Sequence, residues 1–163
     1  MSIAGFDPSG GAGLLADIKT FEQHGVYGLG VITANTLQTE DRFYSVHWIE
    51  LKEVLKAIDV LLTSYPVSAV KTGIVPSFDY FFEIIKHIKK LQPEIKIVVD
   101  PIIQSTTGFD FMINPQGFKN FAGLVHLITP NISEAMLLTN NNNEQAAAEE
   151  LSVYCNVFVE RRA

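Results

Sequence analysis

Four glycines fall within nine residues in the stretch Ala4-Gly5-Phe6-Asp7-Pro8-Ser9-Gly10-Gly11-Ala12-Gly13-Leu14-Leu15-Ala16-Asp17. Consecutive glycines permit positive φ and let backbone N–H groups face a ligand with no Cβ in the way. Ahead of a helix N-terminus, such a loop suits a phosphate, or a hydroxyl that will receive one. Asp17 lies three residues after Leu14 and four before Phe21, on the same apolar stripe. A carboxylate buried there is costly unless it has a partner. The helix N-terminus compensates in part, and a ligand or a basic side chain could supply the rest. The alternative is that Asp17 stands at the edge of the stripe, in water.

Other polar residues collect where apolar runs stop. Leu29–Ala34 gives way to Asn35-Thr36-Leu37-Gln38, and Ser68–Lys71 to Thr72-Gly73. Ile95–Val99 ends in Asp100-Pro101, and Leu127-Ile128 in Thr129-Pro130-Asn131. If these runs are strands of one open sheet, their carboxyl ends form a single rim, where such sheets bind ligands.

The elements between these ends must build that rim. Ser2–Ala4 reads as the end of a strand, followed by a helix carrying Leu14, Ile18 and Phe21 and closed by Gly25. Phe43–Trp48 predicts a short strand. Helices follow with stripes Leu51-Val54-Leu55-Ile58-Leu61-Leu62 and Phe78-Phe81-Phe82-Ile85-Ile88, the second stopped by Pro93. Asn114–Phe121 predicts a short helix. Further helices span Ile132–Leu138 and Glu144–Tyr154, around an Asn140–Asn143 turn, and Asn156–Val159 is a last strand. Strands alternating with helices predict an α/β fold: a mostly parallel sheet with helices on both faces, in one domain over residues 1–163.

Composition narrows the function. Apolar residues make up 47% and charged residues 18%, which suits a packed core. A net charge of −6 argues against nucleic acid or an anionic membrane as partner. The single cysteine, Cys155, forms no internal disulfide, and His24, His47, His87 and His126 show no metal spacing. No apolar run is long enough to span a bilayer, and the N-terminus has no signal-peptide pattern, so a cytoplasmic protein is expected.

Two phosphate-loop readings fit poorly. A Walker A loop needs Lys and Ser/Thr after its last glycine, where Gly11-Ala12 stand. Gly11-Ala12-Gly13-Leu14-Leu15-Ala16 matches G-x-G-x-x-A, but the next strand ends without the acidic residue that dinucleotide binding requires. A nicotinamide-dependent oxidoreductase is therefore a distant alternative.

The first motif, through Lys19-Thr20-Phe21, closely resembles the opening motif of hydroxymethylpyrimidine/phosphomethylpyrimidine kinases, members of the ribokinase-like family in thiamine biosynthesis. Gly25-Val26-Tyr27-Gly28, Val31-Ile32-Thr33-Ala34 with Gln38, Val70-Lys71-x-Gly73, Val98-Val99-Asp100-Pro101 and Thr129-Pro130-Asn131-x-x-Glu134-Ala135 continue the similarity over nearly the whole chain. The resemblance implies phosphoryl transfer from ATP, with Mg2+, to a hydroxymethylpyrimidine and then to its monophosphate. It implies substrate contacts at Gly11, Ala12, Asp17, Thr36 (through the backbone nearby), Gln38 and Ile74. Asp100, Asn131 and Glu134 would serve the nucleotide and magnesium, with no direct metal ligand assigned, and a homodimer is possible. Asp-Pro and Asn-x-x-Glu are shared with pyridoxal kinases, so a pyridoxal-type substrate is an alternative.

In that family the last strand leads to a Lys-Gly-Gly-His-like turn, and later to a Gly-Thr-Gly-Cys-like segment that carries the anion hole and catalytic group. Here Glu160-Arg161-Arg162-Ala163 follows Val159. The expectation is a C-terminally truncated, incomplete kinase with impaired or no activity and no assignable catalytic residue; the alternative is a non-catalytic pyrimidine-binding fragment. Exposed sheet edges and apolar faces would make such a piece prone to self-association.

Overall fold

The computed structural model describes residues 1–103, 115–120 and 122–160. Its strands are β1 (Ser2–Phe6), β2 (Gly30–Gln38), β3 (Phe43–Trp48), β4 (Ala69–Thr72), β5 (Lys96–Val99), β6 (Leu127–Ile128) and β7 (Asn156–Val157). Its helices are α1 (Gly13–Gln23), α2 (Leu51–Ser64), α3 (Phe78–Leu91), α4 (Ile132–Thr139) and α5 (Glu144–Ser152). Within the expected 114–121 helix the described residues form a 3-10 helix, Pro115–Asn120, and a second, Ala122–Leu124, comes after it; Asn114 and Phe121 lie outside the described residues, as do Arg161 and Arg162.

The strands form one sheet in the order β3-β2-β1-β4-β5-β6-β7. All neighbours pair in parallel except β2 and β3, which pair antiparallel through a tight turn. This is the mostly parallel α/β sheet expected from the alternation of strands and helices. β1 stands between β2 and β4, so the chain winds outward on one side, returns, and winds outward on the other. The crevice between the ends of β1 and β4 is the topological switch point, where doubly wound sheets bind ligands.

Strand register assigns the faces. Ile3, Thr72, Val99, Ile128 and Val157 lie side by side, and α2, α3, α4 and α5 cover that face. Val54, Ile58, Phe81, Ile84, Ile88, Leu138 and Leu151 complete one continuous core with them. On the opposite face Ser2, Lys71, Val98, Leu127 and Asn156 align. Among the described helices only α1 packs there, over β1 and β2: its Leu14 rests on Gly30, and Ile18 and Phe21 on Gly28. A Cβ on Gly30 would stand 2.9 Å from Leu14, so the missing side chains let the helix approach. Beyond β4 no described helix covers this face, and Phe158 at its far end is 62% exposed.

Some boundaries differ from sequence expectation. β2 runs four residues past its apolar portion, because antiparallel pairing with β3 supplies backbone partners to Asn35–Gln38. α5 ends at Ser152 and β7 at Val157; Glu160 then makes an isolated bridge to Asn131.

The face assignment is testable with two isoleucines. Ile97→Ala, at a fully buried position of β5, is expected to cost about 2–5 kcal/mol in urea unfolding. Ile32→Ala, 41% exposed on the α1 side of β2, should cost less than about 1 kcal/mol. Equal costs would show the faces to be misassigned.

Candidate functional site

The glycine loop leaves β1 at its carboxyl end and is braced by the carboxylate of Asp7, which is only 5% exposed. Asp7 Oδ1 accepts from the backbone N–H of Ser9 (2.9 Å) and from Ser9 Oγ (2.8 Å), and Oδ2 accepts from the backbone N–H of Ala12 (3.0 Å). Gly10 donates its N–H to the Asp7 carbonyl, and Lys19 of α1 reaches back to the Gly10 carbonyl at 3.1 Å. Gly10 and Gly13 take φ of +73° and +60°. A Cβ on Gly13 would lie 2.3 Å from the Gly5 carbonyl oxygen, so no other residue fits there. Gly11 is exposed and nearly unobstructed.

α3, α4 and α5 are capped by side chains of Ser77, Asn131 and Asn143. α1 starts just after Ala12, which, like Glu50 ahead of α2, gives no side-chain acceptor to the N–H groups of the first turn. The loop therefore offers donors at the switch point.

Asp17 does have a basic partner. Lys71 Nζ stands 3.1 Å from Asp17 Oδ2, and Ser2 Oγ donates to the same oxygen at 2.5 Å. Lys71 also stands 3.5 Å from Asp100 Oδ2, just past the end of β5. Burial raises the Asp100 pKa above its ordinary value; Lys71 opposes the rise, and the negative charges of Glu160 and Asp17 add to it.

Thr36 is buried, with its hydroxyl donating to the Phe6 carbonyl at 2.8 Å. Gln38 is the last residue of β2, paired with Phe43. Ile74 lies over Gly5, whose absent Cβ would fall 2.4 Å from Ile74 Cδ1, and the Ile74 carbonyl accepts from Thr33 Oγ1 at 2.7 Å. Asn131 and Glu134 form a reciprocal capping box at the start of α4: Asn131 Oδ1 accepts from the Glu134 N–H (2.9 Å), and Glu134 Oε2 from the Asn131 N–H (2.8 Å). Among the described residues no three His, Cys, Asp or Glu side chains gather into a metal cage.

Gly11, Ala12, Ile74, Asp100 and Asn131 follow the carboxyl ends of β1, β4, β5 and β6; Thr36 and Gln38 lie within the last three residues of β2, and Asp17 and Glu134 stand on the helices that follow β1 and β6. Sequence reasoning gave no role to Asp7, Ser2 or Lys71. A charged residue inside the four-residue strand Ala69–Thr72 was the available signal for Lys71.

Residues 7–159 match the family model described as phosphomethylpyrimidine kinase. The chain belongs to that family. It is 37% identical over 142 residues to a hydroxymethylpyrimidine/phosphomethylpyrimidine kinase of Aquifex aeolicus, covering 85% of this chain and 55% of the relative. The corresponding enzyme of Rhizobium meliloti is 35% identical, covering 91% and 56%. The chain thus spans about half the length of the curated relatives it matches. Its fold superposes on phosphomethylpyrimidine kinase from Clostridium difficile 630 with a TM-score of 0.82 at 35% identity, covering 98% of this chain and 73% of that one. An ADP complex of Bacillus subtilis pyridoxal kinase gives 0.80 at 28% identity, covering 97% and 62%.

Two outcomes follow from this geometry. Gly13→Ala should lower stability by about 1–3 kcal/mol from backbone strain alone, more with the clash, whereas Gly11→Ala should leave the melting curve almost unchanged; equal effects would contradict the loop conformation. Asp100 binds its proton more tightly in the folded chain, so its contribution to stability is complete below the ordinary carboxylate pKa and is lost as pH rises through the raised value. Urea unfolding from pH 4 to 8 should therefore show Asp100→Asn gaining on the unsubstituted chain; a parallel profile would refute the burial effect.

Proposed function

We propose that this chain forms the pyrimidine-holding part of a kinase that phosphorylates hydroxymethylpyrimidine and its monophosphate, as the matched relatives' names describe for them. One observation carries the reading: a loop braced by buried Asp7 leads into a helix with no side-chain cap, at the switch point of the sheet. Such a loop accommodates the hydroxymethyl group that receives phosphate.

In this reading the pyrimidine rests against Gly11 and Ala12, with Ile74 as an apolar wall and the backbone near Thr36 as the floor. Gln38 reads the ring edge, because its amide offers both a donor and an acceptor, as an aminopyrimidine does. Asp17 holds the start of α1 in register with the sheet through Lys71. On the nucleotide side, Asn131 and Glu134 orient the N-terminus of α4, whose dipole favours phosphate.

ATP, when bound, supplies the phosphoryl group, and Mg2+ screens its charge. Mg2+ is commonly held by one or two carboxylates together with phosphate oxygens and waters. Asp100, at a strand end on the same rim, fits that requirement without a dedicated cage. We further place this activity in the cytoplasm, in a homodimer, with small-molecule partners only. The net charge of −6 suits the absence of a nucleic-acid partner, and no helix among the described residues is long and apolar enough to cross a membrane.

Calorimetric titration with hydroxymethylpyrimidine tests the reading. Saturable one-site binding is expected, with Gln38→Ala weakening it about tenfold or more. Unchanged affinity in Gln38→Ala would refute the site, and a preference for pyridoxal would refute the substrate.

A further inference from the structure

Lys71 stands between two halves of the rim. Its backbone belongs to the short central strand β4, yet its ammonium lies 3.6 Å from where a Cβ of Gly73 would be. The side chain therefore runs along the α1 face toward the carboxyl edge, through space that Gly73 leaves open. There it meets Asp17 of α1 at 3.1 Å and Asp100 of the β5 end at 3.5 Å. Ser2 holds Asp17 from below, so the contacts run Ser2, Asp17, Lys71, Asp100 across three adjacent strands and one helix.

We infer that Lys71 is the positioning residue of this rim, fixing the glycine-loop helix against the end of β5. The inference deepens the reading of a pyrimidine side and a phosphate side, and rests on it for the meaning of the two sides. Asp17 lies about one helical turn from Gly13, so the ammonium that anchors Asp17 also sets where the loop enters α1. A single lysine shared by two carboxylates ties them together: with an uncharged amide in place of one carboxylate, the ammonium is drawn toward the other. A change at Asp100 therefore reaches the loop through Lys71. A surface lysine would transmit little, but this side chain is only 22% exposed.

The experiment compares backbone amide spectra of the glycine loop, Gly10 to Gly13, with and without Asp100→Asn. The loop amides should shift in the Lys71 chain, should shift again in Lys71→Arg, and should barely respond in Lys71→Met. Loop amides that ignore Asp100→Asn in the Lys71 chain, or respond as strongly in Lys71→Met, overturn the inference. If Lys71→Met does not fold, Lys71→Arg decides: loss of the response there overturns it, and retention supports it. In parallel, hydroxymethylpyrimidine affinity should fall about tenfold in Lys71→Met and stay within about threefold in Lys71→Arg. A chain that binds no pyrimidine refutes the reading of the substrate, while the amide response still judges Lys71.

Discussion

A loop of adjacent glycines has no reason of its own to hold one shape, and the site depends on Asp7 giving it one. The carboxylate is buried at the end of β1 and is matched there by Ser9 and Ala12. Hydrogen bonds to a charged acceptor are roughly twice as strong as neutral ones, and an unmatched buried carboxylate would be far more costly. The turn is thus fixed by the need to satisfy one anion. Gly10 and Gly13 supply the positive φ that closing around it demands. The N–H of Ala12 is spent on Asp7, and no side chain caps the N–H groups that follow in α1.

The second constraint is charge. Asp17 and Asp100 approach one ammonium, and Glu160 adds negative charge near Asp100. A structure built only for stability would gain little from gathering these groups, since buried ion pairs seldom outweigh their desolvation. Their position at the ends of β1, β4 and β5 gives the arrangement a purpose. It holds a helix start and a strand end in fixed relation across the crevice.

Much of this was legible in sequence because it depends on neighbours along the chain. Glycine spacing marked the loop, apolar runs marked the strands, and Asp100 and Asn131 stood at run ends where an α/β rim must be. The Asn131/Glu134 pair was expected at a helix start, and its reciprocal cap follows from the spacing of three. What stayed hidden depends on residues far apart in the chain. The partner of Asp17 is 54 positions away in Lys71, and only the β1–β4 register brings them together. The role of Asp7 was masked because Asp-Pro-Ser reads equally well as ordinary turn chemistry. The placement of α2 to α5 on one side and α1 on the other follows from crossovers whose sides the hydrophobic pattern does not encode.

Mapping hydroxymethylpyrimidine onto the chain by amide chemical-shift perturbation tests the central claim most directly. Perturbations concentrated at Gly10 to Gly13, Gln38 and Ile74 are the predicted result. Perturbations confined to β3, or to the α1 side of the sheet beyond β4, would place the ligand away from the switch point and contradict the account.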